Sequence, residues 1–146
     1  WRVVVVRRGP LPLQAQLITD EHVARTIIAA PKGWQPACAR KIRKTGATVL
    51  ELPTNGFLPA LAKELGQLGI LRVFCEGGGI LAGELIRAGL IDELCVFSAP
   101  MLIGGPVGAV GETSWRLPQA PRFRRVESKS VGSDWFLRLV PAGKEG

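Results

Sequence analysis

The chain has 146 residues, of which 47% are hydrophobic, so it is long enough for one domain with a buried core and too apolar to be disordered. Its net charge is +7, and all of this excess lies in residues 1–50, because residues 51–146 are neutral overall. One histidine and three scattered cysteines, without a Cys-x-x-Cys pair, argue against a metal site rich in imidazole or thiolate ligands.

Composition also limits the partners and the location of the protein. The longest uncharged stretch, residues 94–111, contains two prolines and four glycines, which makes a membrane span improbable. The basic N-terminal third has no aromatic-interleaved stripe and no zinc-finger spacing, so we expect no nucleic-acid partner. Its charge is explained by a site for an anionic cofactor or by a solvated face. Unpaired cysteines and the absence of a leader segment favour a cytoplasmic protein.

The order of predicted elements indicates an α/β fold. Short β-branched runs without alternation are typical of strands buried on both faces of a parallel sheet, and apolar residues at helical spacing predict helices between them. The final pair of alternating segments predicts an antiparallel hairpin. We therefore expect one domain over residues 1–146, with a mostly parallel central sheet flanked by helices. The predicted strands are residues 2–7, 26–30, 47–52, 70–75 and 91–99, the helices are 35–45, 57–68 and 80–89, and the hairpin joins 123–130 to 135–140.

The segment most informative about chemistry is residues 73–85, where an apolar strand passes through three glycines into a helix. Glycines let a ligand approach the backbone closely, and the first turn of a helix offers unpaired N–H groups that bind anions such as phosphate. The carboxyl end of a parallel strand is also where open α/β sheets bind ligands. The pattern is neither GxGxxG nor a Walker motif, so a tight structural turn is the alternative.

Glu76 adds to this signal because it is a carboxylate at the end of a strand made of valine, phenylalanine and cysteine. Burying an unpaired charge there would be costly. We expect Glu76 either to face solvent in a cleft or to bind a ligand donor, with a capping or ion-pairing role as the alternative.

These residues carry a family resemblance. Glu76-Gly77-Gly78-Gly79, Leu81-Ala82, Leu90-Ile91-Asp92-Glu93-Leu94 and Ala99-Pro100-Met101-Leu102-Ile103-Gly104-Gly105 follow one another in the order and spacing of the pyrimidine reductases of riboflavin biosynthesis. The chain resembles the 5-amino-6-(5-phosphoribosylamino)uracil reductase domain, the C-terminal part of the bifunctional deaminase/reductase, whose fold is dihydrofolate-reductase-like. The match is strong over residues 70–105 and looser elsewhere.

The resemblance implies an activity, a cofactor and a set of site residues. Members of the family reduce the ribosyl group of a phosphorylated ribosylaminopyrimidine to ribityl with NADPH as hydride donor, and they tend to form homodimers. The glutamate before the glycines contacts substrate, which carries over to Glu76. Dihydrofolate reductases generally have an apolar residue there, so Glu76 favours pyrimidine over folate reduction. The cofactor-binding positions carry over to Gly77, Gly78, Gly79, Ile80, Leu81, Ala82, Gly83 and Glu84.

Two departures from the family qualify this reading. Relatives begin with a further strand that bears a Ser-x-Asp-Gly signature, whereas this sequence contains no Asp-Gly and starts after that region. Relatives often end the valine-rich strand with Asp-Ser, where this chain has Val6 and Arg7. Because arginine binds phosphate in a bidentate manner, we predict that Arg7 contacts the 2′-phosphate of NADPH, with a solvated arginine as the alternative.

The departures leave other functions open. A chain without the first strand of the family could be a non-catalytic nucleotide-binding or dimerisation module of the same fold. A folate-type reductase is a second alternative, which Glu76 disfavours. We expect the chain's partners to be a small phosphorylated pyrimidine and a second copy of itself, with the apolar residues 94–103 and the terminal hairpin as the surface between copies.

Overall fold

The structure, a computed structural model, describes residues 1–104, 108–111 and 114–143. These divide into two units, Trp1–Leu71 and Arg72–Gly146, each of which is described by itself below.

The first unit is built on a parallel sheet of three strands in the order β1-β2-β3. Arg2 pairs with Thr26 and Ile27 pairs with Thr48, which fixes both registers. The central strand is β2, and its first five residues are fully buried, as its unbroken apolar run predicts. The elements in chain order are β1 (Arg2–Val5), α1 (Gln16–Thr19), a 3₁₀ turn (Val23–Arg25), β2 (Thr26–Pro31), α2 (Pro36–Lys44), β3 (Thr48–Leu52) and α3 (Phe57–Gln67).

The core of this unit lies between the sheet and the segments that connect its strands. Ile28 on β2, Ile18 on α1 and Ile42 on α2 belong to one cluster of buried side chains, each at most 1% exposed. Trp34 closes the cluster and donates a hydrogen bond from Nε1 to the carbonyl of Gly9, at 2.8 Å. The turn after β1 is therefore fixed to the loop after β2.

An arginine–aspartate pair ties the start of the sheet to α1. The two terminal nitrogens of Arg2 donate to the two carboxylate oxygens of Asp20, Nη1 to Oδ2 at 2.5 Å and Nη2 to Oδ1 at 2.8 Å. Arg2 Nη2 also lies 2.7 Å from Oγ1 of the buried Thr26, which donates in turn to the carbonyl of Leu17. The Arg2 hydrogen bond lowers the pKa of Asp20, and the carboxylate raises the pKa of Arg2.

The second unit combines one helix with an antiparallel sheet in the order β4-β6-β5. Its elements are α4 (Gly79–Arg87), β4 (Leu94–Ser98), a 3₁₀ turn (Leu117–Gln119), β5 (Phe123–Val131) and β6 (Asp134–Pro141). Val131 pairs with Asp134 across the turn that joins β5 to β6, and a bulge lies between Arg125 and Glu127. The predicted C-terminal antiparallel hairpin is confirmed. The predicted strand at residues 91–99 is present as β4, and it pairs antiparallel with β6.

The prediction of a strand at residues 70–75 is wrong. Among the described residues no strand pairs with this segment, and its backbone forms no ladder. The side chains of Val73 and Phe74 are 62% and 80% exposed. A β-branched or aromatic run prefers a pleated, half-buried surface, and without a neighbouring strand to supply that surface its preference has no effect.

Candidate active site

The site proposed from the sequence centres on the first turn of α4. Gly78 is the N-cap, in an extended conformation with φ −61° and ψ 174°, and its carbonyl accepts the hydrogen bond of Ala82 N–H at 3.2 Å. Its N-cap is a glycine, so the N-cap residue supplies no side chain to cap this helix end. Because the first N–H groups of a helix have no partner within the helix, this turn offers donors and the positive end of the dipole to an anion.

The three glycines of the turn have different surroundings. A methyl group at Gly78 would meet no atom within 4 Å, so the backbone here is open to close approach. A methyl group at Gly77 would come within 2.7 Å of Cδ2 of Leu81, the end of a flexible side chain. At Gly79 it would come within 2.5 Å of the carbonyl oxygen of Gly108, which is backbone. Only Gly78 has the free space that ligand approach requires.

The contact at Gly79 comes from a turn at residues 108–111, closed by a hydrogen bond from Gly111 N–H to the carbonyl of Gly108 at 2.9 Å. From the other side of the contact, a methyl group at Gly111 would lie 2.8 Å from Cα and N of Ile80. Sequence analysis missed these residues as part of the site. The cluster of glycines after residue 103 is the signal that could have found them.

Glu76 lies two residues before the N-cap and is exposed to solvent. Within the described part of the chain its carboxylate makes no hydrogen bond or ion pair. The capping and ion-pairing alternatives therefore have no support among these residues, and the carboxylate is available to a ligand donor.

The remaining predicted cofactor residues follow on α4. Ile80 is 59% exposed, whereas Gly83 is buried. Leu81, Ala82 and Glu84 are half-buried. Among these predicted residues, Ile80 in the first turn of α4 is therefore the most exposed.

Arg7 belongs to the first unit, where it follows the buried Val6 at the carboxyl end of β1. Its side chain is exposed, and its guanidinium carbon lies 5.1 Å from the ring centroid of Phe57, the first residue of α3. This cation–π contact fixes the direction of the arginine at the end of a parallel strand. The role of Arg7 in cofactor binding stays a prediction.

Other charged side chains of the second unit form a network on the antiparallel sheet. Arg138 donates from Nη1 to Glu93 at 3.1 Å and from Nε to Glu127 at 3.3 Å. The Lys129 ammonium, 2.9 Å from Glu127, lowers the pKa of that carboxyl, and Arg138 adds to the effect. Cys95 is exposed, and partial desolvation by its neighbours raises the pKa of its thiol, with a further contribution from its hydrogen bond to Glu93. These groups satisfy one another and offer no acid–base pair.

The described residues provide neither a metal site nor a membrane-spanning helix. No three His, Cys, Asp or Glu side chains of this part of the chain are grouped so that they could hold a metal ion. Among the helices of residues 1–104, 108–111 and 114–143, none is long and apolar enough to cross a membrane.

Comparison with known proteins identifies the family. A family model described as the RibD C-terminal domain matches residues 1–137. The chain belongs to the RibD C-terminal domain family. The predicted resemblance and the dihydrofolate-reductase-like α/β fold are therefore confirmed.

Individual relatives agree with this assignment. The riboflavin biosynthesis protein RibD of Synechocystis is 34% identical over 149 residues, covering 99% of this chain and 39% of the relative. The 2,5-diamino-6-ribosylamino-4(3H)-pyrimidinone 5′-phosphate reductase of Archaeoglobus fulgidus is 31% identical over 128 residues, covering 86% and 58%. The chain thus spans about two fifths to three fifths of these curated relatives.

Solved structures show the same fold. RibD of Acinetobacter baumannii aligns with a TM-score of 0.78 and 28% identity over 97% of this chain and 37% of that one. A pyrimidine reductase-like protein of Corynebacterium diphtheriae aligns with a TM-score of 0.82 over 96% of this chain and 60% of that one. At 15% identity, the second comparison supports the fold alone.

Proposed function

We propose that this chain is the reductase part of a riboflavin-pathway enzyme, which uses NADPH to reduce the ribosyl group of a 5-amino-6-(phosphoribosylamino)pyrimidine to ribityl. The observation that carries the proposal is Glu76, an exposed carboxylate without a partner among the described residues, placed directly before the open glycine turn of α4. Relatives named as RibD and as a ribosylaminopyrimidine phosphate reductase support the substrate class.

The reaction opens the sugar ring by adding a hydride to C1′ and a proton to the ring oxygen, which becomes a hydroxyl group. NADPH, when bound, supplies the hydride, and the protein supplies binding, orientation and electrostatics. Glu76 accepts hydrogen bonds from the hydroxyl or amino groups of the substrate and so holds the sugar beside the cofactor turn. A polyhydroxylated substrate has donors for such a carboxylate, whereas a purely apolar ring edge does not.

The residues of the turn fit a dinucleotide phosphate. The N-cap Gly78 supplies no capping side chain to the first turn of α4 and leaves room for close approach, as an anion site at a helix start requires. Gly78→Val fills that room and is expected to weaken NADPH binding in a fluorescence titration. Gly66→Val in α3 is the matched control, because a methyl there also meets nothing within 4 Å. Unchanged NADPH affinity in a folded Gly78→Val variant would contradict the cofactor assignment.

Glu76→Gln tests the substrate role. The amide keeps the size and one acceptor of the side chain and removes its charge, so the Michaelis constant for the pyrimidine should rise while the dissociation constant of NADPH stays constant. The kinetics are measured on the complete natural polypeptide that carries this chain. Glu64→Gln on α3 removes one carboxylate elsewhere and controls for net charge. If Glu76 only stabilised the turn, its variant would lose thermal stability and bind both ligands more weakly.

A non-catalytic nucleotide-binding or dimerisation module of the same fold is the second candidate, because the open glycine turn of α4 could bind a nucleotide without catalysing a reaction. It predicts that the complete polypeptide binds NADPH and does not oxidise it in the presence of the pyrimidine. Oxidation of NADPH with dihydrofolate in place of the pyrimidine would support the folate-type alternative.

We further propose that the protein is a cytoplasmic homodimer. Exposed apolar side chains concentrate after β4, where Met101, Leu102 and Ile103 are 65% or more exposed, and Phe97 on β4 is 66% exposed. A second copy of the chain would remove this surface from water. Sedimentation velocity over a range of concentrations measures the association, and a monomer at all concentrations would contradict it.

A further inference from the structure

At the candidate site the 108–111 turn packs closely against the first turn of α4. A methyl group at Gly79 would lie 2.5 Å from the Gly108 carbonyl oxygen and 2.7 Å from the Gly111 nitrogen. A methyl group at Gly111 would lie 2.8 Å from Ile80. Real Cβ atoms do not come this close to other atoms, so the two segments can meet only because both positions are glycine.

This backbone contact restrains a helix end whose N-cap residue makes no side-chain hydrogen bond. The N-cap Gly78 has no side chain, and no side chain of another described residue caps the turn. Helix ends without such partners fray, which moves their N–H groups. Backbone packing against the 108–111 turn therefore limits the movement of the N–H groups at the start of α4.

We infer that Gly79 and Gly111 are positioning residues, which hold the 108–111 turn against α4 and so orient the helix N–H groups toward the cofactor phosphate. This inference rests on the proposed function, because it assumes that NADPH binds at this helix end. It gives Gly79 a different role from Gly78, whose open side is left for the ligand.

The conformation of Gly79 supports this division. Gly79 is a helical residue without a positive φ, so alanine would suit its backbone, and helices favour alanine over glycine by about 1 kcal/mol. The methyl group would nevertheless meet a carbonyl oxygen of the backbone, which cannot rotate away as the Leu81 side chain beside Gly77 can. Glycine is required at position 79 by the 108–111 turn and not by the helix.

Gly79→Ala is the first test, with Gly66→Ala as its control. Both add a methyl group to a helical glycine, but the methyl at Gly66 meets nothing within 4 Å. Gly79→Ala should weaken NADPH binding by about 10- to 100-fold, the effect of losing one hydrogen bond to a charged group. Gly66→Ala should leave NADPH affinity unchanged. Equal NADPH affinity in the two variants would overturn the inference.

Gly111→Ala is the second test, with Gly89→Ala as its control. Both glycines have positive φ, +63° and +66°, so alanine is strained at each, and only at Gly111 does the methyl also meet backbone. Gly111→Ala should weaken NADPH binding far more than Gly89→Ala at a similar loss of thermal stability. In the double variant of Gly79 and Gly111, the fold-loss of NADPH affinity should be well below the product of the two single fold-losses, because both changes break one contact. A fold-loss equal to that product would contradict a shared contact.

Amide hydrogen exchange without cofactor separates this inference from the proposed function. Faster exchange of the Ala82 amide, whose N–H donates to the Gly78 carbonyl, is expected in Gly79→Ala and not in Gly66→Ala if the turn restrains the helix end. A wild-type polypeptide that binds no NADPH would contradict the proposed function. A wild-type polypeptide that binds NADPH, with unchanged exchange and affinity in Gly79→Ala, would contradict the positioning role alone. Gly79→Ala decides the matter even if Gly111→Ala does not fold.

Discussion

The two units of the chain bury their side chains to very different degrees. Every buried hydrophobic residue of the described chain lies in the first unit, from Val6 to Leu65. In the described part of the second unit only Gly83 is buried, and both faces of the antiparallel sheet are half-buried or exposed. The first unit therefore contains the fully buried hydrophobic core of the described chain, whereas the second contains the glycine turn and Glu76.

This difference separates two properties that a sequence pattern does not distinguish, namely the apolar composition of a segment and its burial in the fold. A fully buried strand such as β2 is apolar because it is the centre of a packed sheet. The segment at residues 70–75, which is apolar except for Arg72, forms no ladder, and its residues 71–75 are exposed. Apolar composition indicates that a segment can be buried, and its neighbours decide whether it is.

The largest effect is expected from a cavity in the first unit. Ile28 on β2 is fully buried, so Ile28→Ala should lower the free energy of unfolding by about 2–5 kcal/mol. Val126 on β5 is 40% exposed, and Val126→Ala should cost less than about 1 kcal/mol. Chemical denaturation of both variants measures the difference. A loss at Val126 as large as that at Ile28 would mean that the antiparallel sheet is buried in the intact protein.

The next effect tests two predicted cofactor contacts, one in each unit and each by itself. If Arg7 of the first unit makes the predicted contact to the 2′-phosphate, Arg7→Ala should weaken NADPH binding by about 10- to 100-fold and leave NADH binding nearly unaffected. Gly78→Val in the second unit should weaken both cofactors, because both carry the phosphates that the turn would bind. Arg25→Ala, on the 3₁₀ turn, controls for the loss of a positive charge. Equal losses of NADPH and NADH in Arg7→Ala, or no loss, would contradict the role of Arg7.

Much of the fold could be predicted because it depends on local patterns. The three strands of the parallel sheet, helices α2, α3 and α4 and the terminal hairpin all lie where apolar spacing and turn residues predict them. The short helix α1 was missed, since four residues are too few to show a helical period. The strand at 70–75 was wrong because pairing is a long-range property that residue types do not encode.

The candidate site was likewise predicted only in part from the sequence. The glycine turn and the start of α4 were predicted from residues that are adjacent in sequence. The contact of Gly79 with the 108–111 turn was not, because it joins segments about thirty residues apart, and a glycine that accommodates ligand looks the same in sequence as one that accommodates backbone. Only the surroundings of each glycine distinguish the two.

The smallest expected effect compares one ion pair from each unit. Arg2 lowers the pKa of Asp20, so this carboxylate contributes stability that is complete above the unfolded pKa, about 3.9, and is lost as the pH falls through the folded value. Asp20→Asn removes the contribution, so its melting temperature should lie below that of wild type at pH 7 and approach it as the pH falls below about 4. Glu127→Gln on β5 should show a difference in melting temperature from wild type, called the gap below, of the same sign, because Lys129 lowers the pKa of Glu127. We expect the Asp20 gap to be larger and less sensitive to salt, since its bidentate partner is also fixed to the buried Thr26, whereas Glu127 lies on the open sheet. Melting curves at two pH values and two salt concentrations measure both gaps, and an Asp20 gap that is unchanged at low pH would show that Arg2 does not stabilise the folded carboxylate.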